Sequence, residues 1–384
     1  MSKKADLNVY FVVGEESGDI LGANLLTTLR ERGGSVTANG LAGSRMQALG
    51  VESLFDVSDI SVMGISGVAA KLPTLLRRIK MTVADVLKKQ PDVLILIDSP
   101  EFSYRVARKV RTQNPGIKIV KYVAPSVWAW RPGRAKKIKP FIDHILAVLP
   151  FEPEILKKLD GPDATYVGHP LASEMPEIAT QDKLLCNDPP RLVILPGSRR
   201  SEVKRLMPVI RETLGILAER GGKFECVLPA VSKLEGEIRN GIRGWPWQPE
   251  IVIGDDARKN AFRNSDIALA ASGTVTLELA LYKVPTISIY KLDGLAMRIR
   301  HLLTGWTASL PNLIADYPIV PEKFNEYAHP QYIARMVERL TLDDHERRLQ
   351  LAGFETIVKR VKQDTPSHEL AAQKILEIAG VGSN

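Results

Sequence analysis

The sequence predicts an α/β protein of two similar domains, because one pattern of apolar strand, glycine turn and helix begins twice. The first occurrence runs from residues 9–13 into a turn that contains Gly14 and Gly18. The second runs from residues 192–195 into a turn at Gly197, halfway along the chain. This unit opens nucleotide-binding α/β domains of the Rossmann type. Two such openings predict two Rossmann-like domains that face a cleft.

Short apolar runs alternate with helix-periodic stretches in both halves of the chain. This alternation is typical of parallel sheets covered by helices on both faces. The predicted strands are residues 9–13, 93–97, 117–123, 145–149, 192–195, 225–228, 251–253, 267–270 and 285–289. After residue 329 the pattern is helical, and we expect these C-terminal helices to pack back over the domains.

Turn signals without strong periodicity mark the segment 168–190, which we interpret as the region that joins the domains. We therefore expect an N-terminal domain over residues 1–170, a C-terminal domain over 171–345 and a helical tail over 346–384. The chain has 384 residues, enough for two such domains.

The composition favours anionic partners. Lysine and arginine number 52 against 44 acidic residues, a net charge of +8, which suits nucleic acid, an anionic membrane face or phosphorylated substrates. Cys186 and Cys226 lack metal spacing, as do the histidines, so we predict no metal site and a reducing compartment. No apolar run approaches the roughly 18 residues that span a bilayer, and the N-terminus lacks a signal-peptide pattern.

The turn of Gly197, Ser198 and Arg199 is a candidate phosphate site. A helix N-terminus presents unpaired backbone N–H groups and partial positive charge, and both attract phosphate. Arg199 would add a bidentate donor. A glycine that only closes the turn before a basic surface helix gives the same pattern, so both interpretations stand.

A second small-residue turn contains Ser272, Gly273 and Thr274 between a strand and a helix. Small side chains allow a ligand to approach the backbone closely. Glu278 follows about one helical turn later, where its carboxylate can accept hydrogen bonds from sugar hydroxyls. Complementing the helix dipole is the structural alternative for Glu278.

Asp98 stands at the end of the apolar run 93–97. Open α/β sheets bind ligands beyond the carboxyl ends of their strands. A carboxylate there, with apolar neighbours, is a candidate general base whose pKa burial would raise. Because Pro100 follows closely, Asp98 also suits a helix N-cap, and the sequence favours neither role.

The first glycine turn is acidic, since Glu15, Glu16 and Asp19 follow Gly14. These carboxylates would repel a diphosphate. We therefore expect the nucleotide in the second half of the chain, and we expect Ser17 or Asp19 to cap the first helix.

The stretch 71–89 has apolar residues on one helical face, with Arg77, Arg78 and Lys80 alongside. An amphipathic helix over a core explains this pattern. A face that meets a membrane or an acyl chain, with the arginines on anionic headgroups, is the alternative.

Two further motifs raise other ligand classes. Trp128 and Trp130 stand beside a basic run, but aromatic residues are too few for a nucleic-acid platform, so we predict packing or a substrate-site loop and no nucleic acid. Asp255 and Asp256 lack a third metal ligand, and we expect them in a loop after the strand at 251–253.

Taken together, these motifs resemble the lipid-A-disaccharide synthases, glycosyltransferases with two Rossmann-like domains (the GT-B type). Nine segments match in order; each alone is weak, and the series is specific. The segments are GEESGD from Gly14, SVMG from Ser61, IDSPEF from Ile97, PSVWAW from Pro125, LPFE from Leu149, VGHP from Val167, LPGSR from Leu195, ASGT from Ala271 with Glu278, and LPNLI from Leu310.

The resemblance implies an inverting glycosyl transfer without a cofactor. UDP-2,3-diacylglucosamine would donate its sugar to 2,3-diacylglucosamine 1-phosphate (lipid X), giving β-1,6-linked lipid A disaccharide 1-phosphate and UDP. It also implies a cytoplasmic protein at the periphery of the anionic inner membrane of Gram-negative bacteria. Homodimer formation is left open.

The resemblance also assigns roles to residues. Asp98 would take the proton from the acceptor 6-hydroxyl, Arg199 would contact the UDP phosphates, Glu278 would hold the ribose and Asn312 would line the donor site. Four positions depart from the common family pattern. These are Gly67 for Glu, Glu101 for Asp and Ser103 for Asn on the acceptor side, and Asn325 for Gln on the donor side.

Two other functions fit parts of the pattern. A UDP-sugar 2-epimerase of the same fold would turn over a water-soluble UDP-sugar without a lipid acceptor. A basic membrane- or nucleic-acid-binding protein without catalysis would bind anionic surfaces irrespective of UDP.

Overall fold

The computed structural model describes residues 6–60, 65–172, 187–292, 305–342 and 345–381. The chain divides into two compact units, one of Met1–Ser173 with Gln363–Asn384 and one of Glu174–Lys362. Each unit is built on one six-stranded parallel sheet with helices. The predicted α/β class with two Rossmann-like sheets is thereby confirmed.

The first unit contains the N-terminal sheet. Its strands are β1 Leu7–Val13, β2 Val36–Leu41, β3 Val93–Ile97, β4 Lys118–Tyr122, β5 His144–Ala147 and β6 Asp163–Tyr166. Its first helices are α1 Glu16–Gly33, α2 Ser44–Ala48, α3 Ile65–Lys89, α4 Pro100–Gln113, α5 Arg134–Ile138 and α6 Glu152–Lys158. The strands lie in the order β2-β1-β3-β4-β5-β6.

The second unit repeats the arrangement. Its strands are β7 Arg191–Leu195, β8 Glu225–Ala230, β9 Glu250–Ile253, β10 Ile267–Ala271, β11 Thr286–Tyr290 and β12 Glu322–Phe324. Its helices are α7 Arg200–Glu219, α8 Glu235–Gly241, α9 Asp255–Arg263, α10 Thr274–Leu281, α11 Leu310–Ala315, α12 Pro330–Thr341 and α13 His345–Val361. The strands lie in the order β12-β11-β10-β7-β8-β9.

The apolar runs form the inner strands because both faces of each sheet are covered. Every residue of β3 and every residue of β10 is buried, as a parallel sheet between two helix layers requires. Three strands that the sequence pattern did not indicate, β2, β6 and β12, all lie at sheet edges. These three strands are partly exposed and contain polar residues, so they lack the apolar run that marks a buried strand. The fourth edge strand, β9, has such a run and was predicted.

The C-terminal helices are divided between the two units, and each packs against helices of the unit to which it belongs. In the second unit, α13 packs against α10, α11 and α12. The fully buried Arg347 of α13 donates hydrogen bonds to the carbonyl oxygens of Asp266 and Leu340. In the first unit, the last helix, α14 Ser367–Ala379, packs against α1, where Arg32 pairs with Glu369.

Chain order reverses once in each sheet, and the reversals position the candidate site residues. The first lies between β1 and β3, the second between β7 and β10. Loops that leave the carboxyl ends of strands at such a point diverge and open a ligand crevice. Gly14 and Asp98 flank the first reversal, whereas Gly197 and Ser272 flank the second.

None of the helices in the described parts of the chain is long and apolar enough to cross a membrane.

Candidate active site

Asp98 lies directly beyond the carboxyl end of β3. Asp98 and Ser99 both have left-handed backbone angles, with φ of 58° and 40°. Ser99 and not Asp98 is the N-cap residue of α4, and the Ser99 side chain makes no capping hydrogen bond, so N-capping does not account for the Asp98 carboxylate. Within the described ranges, the buried Oδ2 atom of Asp98 has no hydrogen-bond partner. A half-buried carboxylate with a free oxygen can accept a proton.

Gly14 and Gly18 make room for this strand end. A Cβ atom at Gly14 would lie 1.8 Å from Ser99 Oγ, and one at Gly18 would lie 1.9 Å from Asp98 Oδ2. A side chain at Gly14 would displace the Ser99 side chain, and one at Gly18 would displace the Asp98 carboxylate. The glycines of the first turn therefore leave room for the candidate base Asp98. The sequence pattern alone did not indicate this role.

Burial raises the pKa of Asp98 above its usual value. The Lys121 ammonium opposes that rise, nearby Glu15 adds to it, and the backbone N–H of Gly18 lowers the pKa. A raised pKa makes a carboxylate a stronger base. The acidic residue Glu15 of the first turn therefore acts on Asp98.

A cavity of about 260 Å³ opens beside Asp98 within the first unit. Besides Asp98, its walls contain Tyr104, Lys121, Trp130 and Arg134, with residues 123–127. The buried Tyr104 hydroxyl finds no partner among the residues that the structure describes. The cavity thus combines an aromatic wall with polar and charged groups, a composition suited to a sugar derivative.

The other tryptophan of this motif, Trp128, has a structural role. Trp128 packs edge-to-face on Phe151, with ring centroids 5.7 Å apart. Its Nε1 atom lies 3.4 Å from Glu152 Oε1, and burial raises the pKa of Glu152 to about 7. The motifs that begin at Pro125 and Leu149 therefore meet in one packed contact.

Asp19 has a different role from the one expected. Its buried carboxylate accepts the backbone N–H groups of Gly43, Arg45 and Met46, at 2.9, 2.8 and 3.3 Å. These N–H groups belong to the start of α2. The prediction that Ser17 or Asp19 caps α1 was wrong, since that helix has no side-chain cap.

The second glycine turn binds a carboxylate of this chain, that of Glu202. Gly197 has φ of 112°. The Glu202 carboxylate accepts hydrogen bonds from the backbone N–H groups of Ser198 and Arg199, at 3.1 and 3.3 Å. It accepts a third from the Arg199 Nη1 atom, at 3.2 Å. The donors predicted for phosphate are therefore real, but a side chain three residues along occupies them. A Glu three residues after an N-cap is a capping-box signal that could have been recognised.

Ser272 and Gly273 lie beyond β10, the strand next to β7. No atom of the described residues would lie within 4 Å of a Cβ atom at Gly273, so among these residues the backbone here has room for a ligand. Thr274 begins α10. The small-residue turn and the Gly197 turn thus lie side by side, at the carboxyl ends of the adjacent strands β10 and β7.

Glu278 is buried in α10 and forms an ion pair with Arg258 of α9. Arg258 also pairs with Asp255. The expectation that Asp255 and Asp256 lie in a loop was wrong, because they form the first turn of α9. A close cation, rather than the helix dipole alone, therefore balances the charge of Glu278.

Asn312 is buried and holds the segment before β12. Its amide nitrogen donates to the Val320 carbonyl oxygen at 2.9 Å, and its oxygen accepts the N–H groups of Ile319 and Val320 at 2.9 and 2.8 Å. Asn312 thus shapes this loop from within, and a role in lining the donor site stays a prediction.

Three of the four departures from the family pattern have visible contacts. Glu101 pairs with Arg134 at 2.8 Å. Ser103 donates to the Asp98 carbonyl oxygen at 3.1 Å, and Asn325 Oδ1 accepts the Leu292 N–H at 2.9 Å. Gly67 lies in α3, and the motif at 61–64 lies outside the described residues.

These features define a protein of the GT-B fold, with a glycine turn at the switch point of each parallel sheet. Solved structures with this fold include MurG of Acinetobacter baumannii, with a TM-score of 0.58, 12% identity and coverage of 98% of this chain and 99% of that one. A UDP-GlcNAc 2-epimerase from Neisseria meningitidis bound to UDP-GlcNAc has a TM-score of 0.59, 12% identity and coverage of 97% and 98%. At these identities the likeness concerns the fold alone.

Sequence comparison identifies the family. The lipid-A-disaccharide synthetase family profile matches residues 9–376. The lipid-A-disaccharide synthase of Rhodopseudomonas palustris (strain HaA2) is 44% identical over 371 residues, which cover 94% of each chain. That of Nitrobacter winogradskyi is 42% identical over 376 residues, 96% of this chain and 95% of the other. The chain belongs to the lipid-A-disaccharide synthase family and is a glycosyltransferase of lipid A biosynthesis.

We predict that Gly18→Ala lowers turnover about 100-fold, the scale expected when a reacting group moves by roughly 1 Å. The added methyl group would displace the Asp98 carboxylate. Steady-state kinetics measure the effect. Gly133→Ala is the matched control, because a Cβ atom there meets nothing within 4 Å. Wild-type turnover in Gly18→Ala would contradict the proposed seating of Asp98.

Proposed function

We propose that this enzyme joins UDP-2,3-diacylglucosamine to 2,3-diacylglucosamine 1-phosphate (lipid X), with inversion at the anomeric carbon. The observation that carries this proposal is the half-buried Asp98 carboxylate, which has an oxygen unpartnered among the described residues and lies beside a cavity at a sheet switch point. Family membership supports the choice of substrates. The acceptor is assigned to the N-terminal domain, predicted as residues 1–170, and the donor to the C-terminal domain, predicted as 171–345.

The reaction needs a base on the acceptor. The acceptor 6-hydroxyl oxygen attacks the anomeric carbon of the donor while its proton passes to the Asp98 carboxylate. The bond between the anomeric carbon and the UDP oxygen breaks, and UDP leaves with the electron pair. Burial raises the pKa of Asp98 and so strengthens it as a base.

The leaving group needs positive charge. The backbone N–H groups of Ser198 and Arg199 and the Arg199 guanidinium converge on one point, where Glu202 is now bound. In our proposal a UDP phosphate replaces that carboxylate, because both anions require the same donors. Fixed donors aimed at developing charge are a major source of catalysis.

Neighbouring residues complete the proposed donor site. Ser272, Gly273 and Thr274 would border the diphosphate, since their turn adjoins the Gly197 turn. Glu278 would accept hydrogen bonds from the ribose hydroxyls, with Arg258 fixing its orientation.

We predict that Asp98→Asn lowers turnover by about 10²–10⁴-fold, the range for loss of a general base. The substitution keeps the size of the side chain and removes its ability to take a proton. UDP release with both acylated substrates measures turnover, and calorimetry should show unchanged UDP binding. Asp163→Asn, which alters an exposed carboxylate of the same unit, is the control. Near-normal turnover in Asp98→Asn would rule out Asp98 as the base.

We predict that Arg199→Ala weakens UDP binding about tenfold or more, because a hydrogen bond to a charged group contributes about 1.5–3 kcal/mol. Calorimetric titration with UDP measures the change. Arg200→Ala is the matched control, since the Arg200 guanidinium pairs with Glu237 at 2.6 Å. Equal UDP affinity in Arg199→Ala and wild type would refute the assignment.

Membrane attachment at the cytoplasmic face of the inner membrane forms part of the proposal, and α3 supports it. Leu72 and Leu76 are 40% and 53% exposed, with exposed Arg77 and Lys80 near them. Exposed leucines beside basic residues suit an anionic lipid surface. Leu75, Ile79 and Val83 are buried in the core, so one face of α3 packs inside the unit, and the proposal assigns the exposed face to the membrane.

Arg78 does not belong to the exposed face. Its guanidinium pairs with Asp59 and lies 4.4 Å from the centre of the Phe55 ring. The proposed membrane face is therefore narrower than the sequence pattern suggested. Homodimer formation stays open.

We predict that the double variant Leu72→Ser, Leu76→Ser binds anionic vesicles at least about tenfold more weakly, because each buried leucine contributes roughly 1.5–3 kcal/mol. Vesicle co-sedimentation measures binding. The control is Leu342→Ser with Leu349→Ser, which alters two exposed leucines of the second unit. Equal loss in both double variants would show that the α3 face has no special role.

A further inference from the structure

Lys121 is a buried cation in the middle of a sheet. It lies on β4, paired in register with Leu96 of β3, and its exposure is 3%. Lysine is almost never fully buried unless it is paired. Burial lowers the pKa of Lys121 to about 8. An apolar residue could be buried in this inner strand at a lower free-energy cost. Packing alone therefore does not explain why a lysine stands here.

The Lys121 ammonium contacts the backbone of the proposed base. Its Nζ atom donates a hydrogen bond to the carbonyl oxygen of Asp98 at 3.1 Å. Ser103 Oγ donates to the same oxygen, also at 3.1 Å. Two donors from two different elements thus hold one carbonyl group. Lys121 also lines the cavity beside Asp98.

Holding that carbonyl is useful because the backbone there is strained. Asp98 has φ of 58°, and a non-glycine residue keeps this conformation only where its surroundings enforce it. The two hydrogen bonds to its carbonyl oxygen are such an enforcement. The direction of the Asp98 carboxylate depends on this backbone conformation.

The charges around Lys121 are mainly negative. Asp98 after β3 and Glu15 after β1 both act on the ammonium group. Arg134 of α5 borders the same cavity, but it pairs with Glu101. Lys121 is therefore the cation whose charge opposes the effect of burial on Asp98.

We propose that Lys121 is a positioning residue for the transfer reaction, which fixes the Asp98 backbone and keeps the Asp98 carboxylate ionised until the acceptor binds. This inference rests on the role of Asp98 proposed above. The two contributions are separable, because one needs a hydrogen-bond donor and the other needs a positive charge.

Three variants separate the donor from the charge. Lys121→Arg keeps both, Lys121→Gln keeps a donor without the charge, and Lys121→Met removes both. The measurement is kcat/KM for UDP release with both acylated substrates, from about pH 5 to pH 9, where the acidic limb reports protonation of the base. Circular dichroism and UDP binding check the fold.

A neighbouring cation lowers a carboxyl pKa, so its removal raises that pKa and the base stays protonated to higher pH. We expect the acidic limb to move up by about one pH unit or more in Lys121→Gln and Lys121→Met, and to stay in place in Lys121→Arg. The activity plateau should fall further in Lys121→Met than in Lys121→Gln, because only Lys121→Met loses the donor. A residue that serves only packing would lower the plateau without moving the limb.

Asp98→Asn, measured in parallel, distinguishes the two proposals. Near-normal turnover in Asp98→Asn would overturn the role of Asp98 and this inference with it. Loss of turnover in Asp98→Asn, with an unmoved acidic limb in Lys121→Met, would overturn this inference alone. If Lys121→Met does not fold, the comparison of Lys121→Gln with Lys121→Arg gives the same test.

Discussion

The close approach of the first turn of α1 to the end of β3 is the constraint on which the candidate site of the first unit depends. Gly18 has no side chain where the Asp98 carboxylate lies, and Gly14 has none where Ser99 lies. This contact lets the Asp98 carboxylate stay half-buried directly beyond β3, a strand whose residues are all apolar and buried. Burial then raises the proton affinity of that carboxylate, while Lys121 limits the rise. Backbone geometry, burial and charge therefore act on one side chain.

The same fold treats charge differently in the two units. In the first, burial at the switch point raises the pKa of Asp98, and the nearby Glu15 carboxylate adds to the rise. In the second, backbone donors and Arg199 converge on a negative group. The proposed reaction, in which Asp98 takes a proton and UDP leaves near Arg199, needs this asymmetry. The sheets are alike in strand number and parallel pairing, and the short turns at their switch points carry the difference.

The sequence predicts the inner strands and the edge strand β9 because each contains an apolar run, and it predicts the two glycine turns because glycine closely follows such a run at β1 and β7. The edge strands β2, β6 and β12 lack that signal, since one side of an edge strand meets solvent. The roles of Gly18 and Lys121 depend on contacts between segments that are far apart in the chain, namely with Asp98. Asp19 shows the same limit, because its carboxylate caps the start of a helix 24 or more residues away.

Glu202 gives the second unit a property of its own. With its carboxylate on the N–H groups of Ser198 and Arg199, Glu202 supplies this turn with an anion from the chain itself. A solute that enters this turn, as proposed for UDP, must compete with a tethered carboxylate of high effective concentration. Small anions that offer only one phosphate or carboxylate gain little from that exchange, whereas a nucleotide also brings its sugar and base contacts. The turn would thus select a ligand by its sugar and base contacts together with its negative charge, and not by the charge alone.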